Sequence, residues 1–245
     1  IICISIKTIK NTNRSFGARI SGEIARVHRN NGLKASINLN LKGVAGQSFG
    51  AFILNNMNLY LNGYANDYVG KGMNGGKIII TPKLEGSDYN AVGNTCLYGA
   101  TGGRLFARGG AGERFAVRNS GAIGVVEKVG DHACEYMTGG IVVVLGDTGI
   151  NFGAGMTGGT SFVYDKNAIF TDCINRDLVE HIRIDVDAKD IERYYLKKLL
   201  KSYYDETQSK KAKYIIDNFI DEIRHFWMIK SKNLKKAPLS SLDGE

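Results

Sequence analysis

Glycine is concentrated in one part of this chain, where it recurs at regular intervals. The sequence has 245 residues and 31 glycines, 27 of which lie between Gly43 and Gly159. Their clusters separate short apolar runs near Leu39, Leu61, Ile79, Phe106, Val125, Val143 and Val163, at intervals of 22, 18, 27, 19, 18 and 20 residues. A repeat of about twenty residues with one strand per unit is typical of a solenoid, whose turns bury their inner faces only against neighbouring turns.

The spacing excludes helical crossovers between these strands. A crossover to a parallel strand needs about a dozen residues or more, usually helical, and glycine interrupts every such stretch between residues 43 and 164. Glycine inside a helix costs about 1 kcal/mol, whereas a corner with positive φ accepts it readily. The longest interval contains the polar segment 82–90, which predicts a loop leaving the coil. The sequence therefore predicts a mainly β fold, a single-stranded right-handed parallel β-helix, over residues 1–170.

The remaining residues, 171–245, differ in composition and predict a short helical tail. No glycine occurs from residue 160 to 243. Asp187 or Asp190 is the expected N-cap of a first helix, and Thr207 or Ser209 that of a second. The apolar stripes are Ile191, Tyr194/Tyr195, Leu199 and Tyr203 in the first helix, and Ile215/Ile216, Phe219, Ile223 and Trp227 in the second. We expect both stripes to pack on the solenoid and to close its end.

Charge and cysteine content narrow the functional classes. The net charge is +8, of which residues 1–176 carry +7 (18 Lys/Arg against 11 Asp/Glu). The arginines are scattered, with no basic run and no interleaved aromatic platform, which argues against nucleic-acid binding. The four cysteines, Cys3, Cys96, Cys134 and Cys173, form no C-x-x-C pair and predict neither a zinc site nor an iron–sulfur cluster. With no signal peptide and no membrane span expected, we predict the cytoplasm or another reducing compartment.

Two motifs suggest chemistry but have simpler structural explanations. Residues 70–75 and 153–158 match the G-x-G-x-x-G dinucleotide fingerprint, which requires a helix directly after the loop. Strand-like runs follow instead, at 77–81 and 161–164, so we predict corners of the repeat. His132 and Cys134, spaced i, i+2, would share one face of a strand and resemble a nucleophilic pair. We favour a thiol in the core and a histidine held by a neighbouring turn.

Seven charged residues lie within the glycine-rich repeat and are the structural or interdomain candidates. Because an unpaired buried charge is costly, we expect them to pair between turns or to bond corner carbonyls. A polysaccharide-cleaving site is the alternative, but no cluster of carboxylates at strand spacing (i, i+2) within the repeat points to a metal or a sugar. The candidates are Asp67, Lys71, Glu113, Arg114, Arg118, Asp131 and Glu135.

Longer segments carry a resemblance to a known family. Residues 66–72, 97–103, 111–121 and 130–140 are similar to the C-terminal glycine-rich domain of the glutamate synthase large subunit, as are 11–22, 45–52 and 151–159. The resemblance extends to the tail, where it is carried by Thr207, Ser209 and Ala212, followed by Phe226 and Trp227. Because residue 1 is Ile rather than Met, we expect a piece of a longer product or a separately encoded subunit.

The resemblance implies a β-helix packed between a glutaminase domain and an FMN-bearing synthase domain. The whole enzyme of that family converts glutamine and 2-oxoglutarate into two glutamates during ammonia assimilation, and passes ammonia through an internal tunnel. The nucleophilic cysteine, FMN and the iron–sulfur cluster belong to its other domains. We therefore expect no catalytic, cofactor-binding or metal-binding residue here, and a non-catalytic scaffold role. The electron donor, NADPH, NADH or ferredoxin, is selected elsewhere in such an enzyme.

Three alternatives remain open at this point. The glycine-rich subunit of formylmethanofuran dehydrogenase would share the corners but not the helical tail. A free-standing polysaccharide-acting β-helix enzyme would show a groove with converging carboxylates, whereas an interdomain contact would show a broad apolar flank lined by arginine. A thiol-dependent enzyme would use Cys134 and His132.

Overall fold

A computed structural model describes residues 2–29, 32–84, 89–184 and 190–232. The strands are β1 (Ile2–Ile9), β2 (Ile37–Ala45), β3 (Met57–Ala65), β4 (Asn74–Ile80), β5 (Asn90–Val92), β6 (Gly102–Ala107), β7 (Gly110–Ala111), β8 (Ser120–Val126), β9 (Thr138–Val144), β10 (Gly158–Tyr164), β11 (Val179–Arg183) and β12 (Phe226–Ser231). The α-helices are α1 (Ala18–His28), α2 (Phe170–Cys173), α3 (Asp190–Thr207), α4 (Lys210–Asp217) and α5 (Phe219–Glu222).

Eight of these strands stack in parallel and confirm the predicted solenoid. Their order along the long sheet is β1-β2-β3-β4-β6-β8-β9-β10, and each of the seven apolar runs falls within one of the last seven strands. The short strands β5 and β7 continue a second strip of pairing, in which Ala65, Val92 and Ala111 follow one another. The insertion 82–90 lies between β4 and the start of β5, and its residues 85–88 are outside the described part.

The long sheet has two apolar faces because neighbouring residues of a strand point to opposite sides. An inner ladder joins Leu39, Leu59, Ile78, Leu105, Gly124, Val142 and Ser161. The adjacent outer ladder joins Asn40, Tyr60, Ile79, Phe106, Val125, Val143 and Phe162. The outer ladder is polar in β2 and buried and apolar from β4 onward. Another element is therefore expected to cover the outer face of the sheet from β4 onward.

Helices α3, α4 and α5 provide that cover. Phe106, Val125 and Phe162 share a buried cluster with Leu196, Leu200, Tyr203, Ile215 and Phe219 of the tail. The rings of Phe106 and Tyr203 meet edge to face, with centroids 5.7 Å apart. The expectation that these two helices close the end of the solenoid was wrong, because their apolar stripes cover the apolar outer face of the sheet.

The two ends of the solenoid core are closed by other helices. At the first turn Ile24 of α1 enters the core. At the last turn Phe170 of α2 packs edge to face on Phe152, with ring centroids 5.3 Å apart. Each end therefore has its own short helix, leaving the tail helices to cover the side.

The second predicted tail helix is interrupted and ends as a strand. Ser209 is its N-cap, as predicted, because Ser209 Oγ accepts a hydrogen bond from the Ala212 N–H at 3.2 Å. The helix then breaks at Asn218 into α4 and α5, and Trp227 lies in β12 rather than on a helical stripe. Strand β12 pairs antiparallel with β10 and β11 pairs antiparallel with β12, so the tail extends the solenoid's own sheet. Asp187 lies outside the described residues.

A buried polar cluster holds the tail in position. Ser209 Oγ donates to Glu127 Oε1 at 2.6 Å, and Tyr203 donates its hydroxyl to the Ala107 carbonyl at 2.9 Å. At the edge of the same contact, Lys77 forms an ion pair with Glu206. Glu127, Tyr203 and Ser209 are all buried, and each has a partner, as stable burial of polar groups requires.

Candidate interdomain surface

Six corners lie one above another along the solenoid and form its most regular feature. In each corner three alternate residues have left-handed backbone, with φ between 53° and 72°. The first positions are Ser48, Tyr68, Thr95, Arg114, His132 and Asn151. The second positions are Gly50, Gly70, Leu97, Ala116, Cys134 and Gly153. The third positions are Phe52, Gly72, Gly99, Arg118, Tyr136 and Gly155. We call the outer surface of these stacked corners the corner face.

Hydrogen bonds between turns explain why this conformation persists. In the first five corners, the N–H groups at first and third positions donate to the following turn, as in Tyr68 to the Asn94 carbonyl at 2.8 Å. Those at second positions donate to the preceding turn, as in Leu97 to the Val69 carbonyl at 2.8 Å. A left-handed residue other than glycine costs roughly 1–2 kcal/mol. Twelve of the eighteen positions carry such residues, so stacking, rather than glycine alone, maintains these corners.

Glycine is required at some corners because a neighbouring ring lies close. A Cβ on Gly72 would stand 2.6 Å from the Phe52 ring, and one on Gly155 would stand 2.5 Å from the Tyr136 ring. A Cβ on Gly99, in the same column, would meet nothing within 4 Å. Both fingerprint-like runs thus begin in corners and lead into strands, β4 and β10, rather than helices, as the sequence predicted.

Two of the candidate carboxylates connect consecutive turns. Asp67 Oδ1 accepts the Asn94 N–H at 2.8 Å, and Asp131 Oδ1 accepts the Ile150 N–H at 2.9 Å. In the turn between them, Asn94 Oδ1 likewise accepts a hydrogen bond from the Glu113 N–H, at 2.9 Å. These bonds do run between turns, but the partners are backbone N–H groups rather than the charged partners or corner carbonyls that were expected, since a carboxylate can only accept.

The other candidates lie at the same corners, but they differ in exposure: the Arg114 and Arg118 side chains are exposed, whereas Glu135 Oε2 is buried. Glu135 stands 3.8 Å from Arg114 Nη2 of the preceding turn. Lys71 lies over the Tyr68 ring, 5.5 Å from its centroid, and Arg118 lies over the Tyr136 ring at 6.0 Å. Glu113 is exposed beside Arg114. The structure thus places all seven candidates on or beside one face.

Exposed apolar side chains share this face and were not among the predicted residues. Phe52 and Tyr136 are each 53% exposed, Ile150 is 55% exposed and Tyr68 is 37% exposed. Aromatic residues and arginine are enriched in protein interfaces, and the residues at their centres carry most of the binding energy. Aligning the third corner positions of the repeat would have drawn attention to Phe52 and Tyr136.

The corner face carries no activated thiol at Cys134. His132 and Cys134 both lie in a corner, not on a strand as expected. The Cys134 side chain is fully buried, with Ser161 Oγ donating to its sulfur at 3.4 Å. Burial raises the pKa of the Cys134 thiol to about 12, and the bond from Ser161 offsets this only in part. A protonated, buried thiol is a packing group rather than a nucleophile.

The described residues contain neither a metal-binding cluster nor a membrane-spanning helix. Among them, no group of three or more His, Cys, Asp or Glu side chains is close enough together to bind a metal ion. No helix in the same part of the chain is both long and apolar enough to span a membrane.

Comparison with known proteins agrees with the resemblance in the sequence. The family described as GXGXG motif matches residues 3–232. The chain is 52% identical over 225 residues to the ferredoxin-dependent glutamate synthase of Pyropia yezoensis, covering 90% of this chain and 14% of that protein. It is 48% identical over 237 residues to ferredoxin-dependent glutamate synthase 2 of Synechocystis sp., covering 95% and 15%.

A relative with a different stated electron donor is almost as similar. Identity with the NADH glutamate synthase of Schizosaccharomyces pombe is 46% over 232 residues, covering 93% of this chain and 11% of that protein. The chain thus spans between 11% and 15% of the length of these relatives. The predicted similarity to the glycine-rich region of glutamate synthases is confirmed, and the chain belongs to the GXGXG motif family.

Proposed function

We propose that this chain is the glycine-rich domain of a glutamate synthase and acts as a scaffold without chemistry of its own. One observation carries the proposal: at least 90% of the chain matches glutamate synthases at about half identity, yet it accounts for at most 15% of their length. In this role the domain holds a glutaminase domain and an FMN-bearing synthase domain at a constant separation. Ammonia released from glutamine then reaches 2-oxoglutarate without escaping.

The corner stack supplies the stiffness that such a role requires. Every corner donates backbone N–H groups to a neighbouring turn, and the Asp67, Asn94 and Asp131 side chains add further bonds along the same line. Solenoid turns contact mainly their neighbours, so each added bond between turns resists bending directly. The corner face, with Phe52, Tyr136 and Arg118 exposed, is the surface we assign to contact with one of the two domains.

The remaining parts of the proposal concern groups outside this chain. FMN and the iron–sulfur cluster are assigned to the other domains, in a reducing compartment where ammonia is assimilated. The donor is not assigned, because ferredoxin- and NADH-dependent relatives are similarly close.

The scaffold claim has a direct test on the purified chain. We expect no flavin absorbance and no release of ammonia from glutamine. Either signal from a clean preparation would overturn the claim.

The contact role is tested in the enzyme that contains this chain. Phe52→Glu combined with Tyr136→Glu is expected to lower glutamate formation per glutamine hydrolysed, because the two domains lose their fixed orientation. Ile220→Glu is the matched control, since Ile220 is 83% exposed on α5, away from the corners. Equal coupling in both variants would contradict the assignment of the corner face.

The alternatives have less support. Helices α3 and α4 argue against the formylmethanofuran dehydrogenase subunit, which was expected to lack this tail. A polysaccharide-cleaving site needs free carboxylates, whereas Asp67 and Asp131 accept backbone N–H groups. For the thiol-dependent enzyme, Cys134→Ser decides: glutamine-dependent turnover is expected to be retained, and its loss would favour the thiol.

A further inference from the structure

Nearly all of the net charge of this chain comes from its first 42 residues. They contain eight Lys/Arg and one acidic residue, Glu23, whereas the other 203 residues contain 24 Lys/Arg and 23 Asp/Glu. The first segment therefore carries +7 of the total of +8. We call its cations the basic cap: Lys7, Lys10, Arg14, Arg19, Arg26, Arg29, Lys34 and Lys42.

The structure places the basic cap at one end of the solenoid. All eight residues are exposed, and they come from β1, α1, β2 and the segments that join them. Helix α1 directs Ile24 into the core, so its opposite side faces outward at the first turn. Strand β1 is the first strand of the long sheet, and no strand in the described part of the chain pairs with its outer edge. Val27 is 58% exposed between Arg26 and Arg29.

The opposite end of the solenoid has balanced charge. Residues 165–184 contain three Lys/Arg and four Asp/Glu. Two of these carboxylates are paired, Asp165 with Arg183 at 3.6 Å and Glu180 with Lys230 at 3.0 Å. In the basic cap the single ion pair among the described residues joins Arg26 to Glu23, at 2.9 Å. The cationic excess is thus a property of one end and not of the whole surface.

We propose that the basic cap docks on an acidic surface of a neighbouring domain of the same glutamate synthase. This inference rests on the proposed function, which places most of the enzyme outside this chain. Seven uncompensated cations repel one another, and carboxylates on a partner remove that repulsion and orient the approach. Val27, exposed between Arg26 and Arg29 in the sequence, adds an apolar contact to these cations, and interfaces combine an apolar centre with a polar rim.

A protein partner is favoured over nucleic acid by the aromatic residues. Single-stranded nucleic acid needs exposed rings on which bases stack. Phe16, the ring nearest the cap in sequence, stacks instead on Phe49 with centroids 6.0 Å apart and packs against the core. The cap therefore offers charge and a small apolar contact but no stacking platform.

Carbodiimide coupling of the intact enzyme tests the contact directly, because it joins a lysine amine to an adjacent carboxylate. We expect cross-linked peptides that join Lys10 or Lys34 to Asp or Glu residues outside this chain. The double variant Arg19→Glu/Arg29→Glu is expected to lose these cross-links. The matched control Lys83→Glu/Lys201→Glu reverses two exposed cations outside the cap and is expected to keep them.

The same variants have a functional readout. In the cap variant, free ammonia released per glutamine hydrolysed is expected to rise about tenfold, and added salt is expected to shift the wild type in the same direction. The proposal would be overturned if the wild type gave no cross-links and the cap variant kept normal coupling. The proposal would also be overturned if the wild type bound a single-stranded oligonucleotide and the cap variant lost that binding while its coupling stayed unchanged. That result would reassign the cap to nucleic acid. Failure of the scaffold role would be distinguished from failure of this docking proposal. Flavin absorbance or glutaminase activity in the purified chain would reveal it, whatever the cross-links show.

Discussion

Two long surfaces of this solenoid, the outer flank of the sheet and the corner face, handle polar groups in opposite ways. On the flank, Glu127, Tyr203 and Ser209 are buried beneath the tail helices and bond one another or the backbone. On the corner face, Arg114 and Arg118 remain exposed, while Asp67 and Asp131 accept N–H groups of the following turn. The flank is therefore an interface already filled by the chain's own tail, whereas no helix or strand of the described part of the chain covers the corner face.

This difference indicates that the flank stabilises the fold, whereas the corner face is available for contact. Burial of large apolar groups stabilises the flank, because each removes a large area from water. The corner face depends on repeated hydrogen bonds, each worth only about 1 kcal/mol net. Substitutions on the flank are thus expected to unfold the chain, and those on the corner face to leave the fold intact.

Two phenylalanines, one buried on the flank and one exposed on the corner face, are expected to give the largest difference in stability when each is replaced by alanine. Phe106→Ala removes a fully buried ring that contacts Tyr203 and is expected to lower the free energy of unfolding by about 3–5 kcal/mol. Phe52→Ala, at a ring 53% exposed on the corner face, is expected to cost less than about 1 kcal/mol. Urea unfolding of both variants measures the difference, and equal losses would break the comparison.

Two glycines of one column test how closely the corners pack. Gly72→Ala and Gly99→Ala both place alanine at φ 60°, a shared cost of roughly 1–2 kcal/mol. Only the Cβ at residue 72 meets a ring, that of Phe52, which is expected to add about 1 kcal/mol. The double variant Gly72→Ala/Phe52→Ala is expected to remove that extra cost. If Gly99→Ala is as harmful as Gly72→Ala, ring contact is not the reason for glycine.

Ser209 tests how strongly the tail is held on the flank. Ser209→Ala removes the N-cap of α4 and a hydrogen bond to Glu127, and the expected loss of stability is about 1–2 kcal/mol. Ser202→Ala, within α3, is the control and is expected to be close to neutral because alanine favours a helix. Thermal unfolding followed by circular dichroism distinguishes them, and a neutral Ser209→Ala would contradict the role of the cap.

The smallest expected effect concerns the side chains that connect the turns. Asp131→Ala is expected to cost about 1 kcal/mol, since the Ile150 N–H loses its acceptor. Asp131→Asn is expected to be nearly neutral, because Asn94 makes the equivalent bond in another turn. Chemical denaturation at neutral pH measures both. A large loss in Asp131→Asn would mean that charge, rather than the hydrogen bond, is what matters.

The sequence anticipated much of the fold and part of the candidate surface. Regular glycine clusters and apolar runs predicted seven strands of the solenoid, and Ser209 was one of the two residues predicted to cap the second tail helix. The charged candidates were found because charges within an apolar repeat are conspicuous. Phe52 and Tyr136 were missed, since an isolated exposed ring looks like a core residue in sequence.

What the sequence determined by itself is the repeat, because strand alternation and the preference of glycine for bends act over a few residues. Only the tertiary structure decided which side the tail covers and that Trp227 belongs to a strand paired with β10. It also decided that residues such as Arg118 and Tyr136 take left-handed backbone. The physical reason is that these outcomes depend on contacts with other turns or with the distant tail, where a stacked neighbour supplies the hydrogen bonds and buried area that local preference lacks.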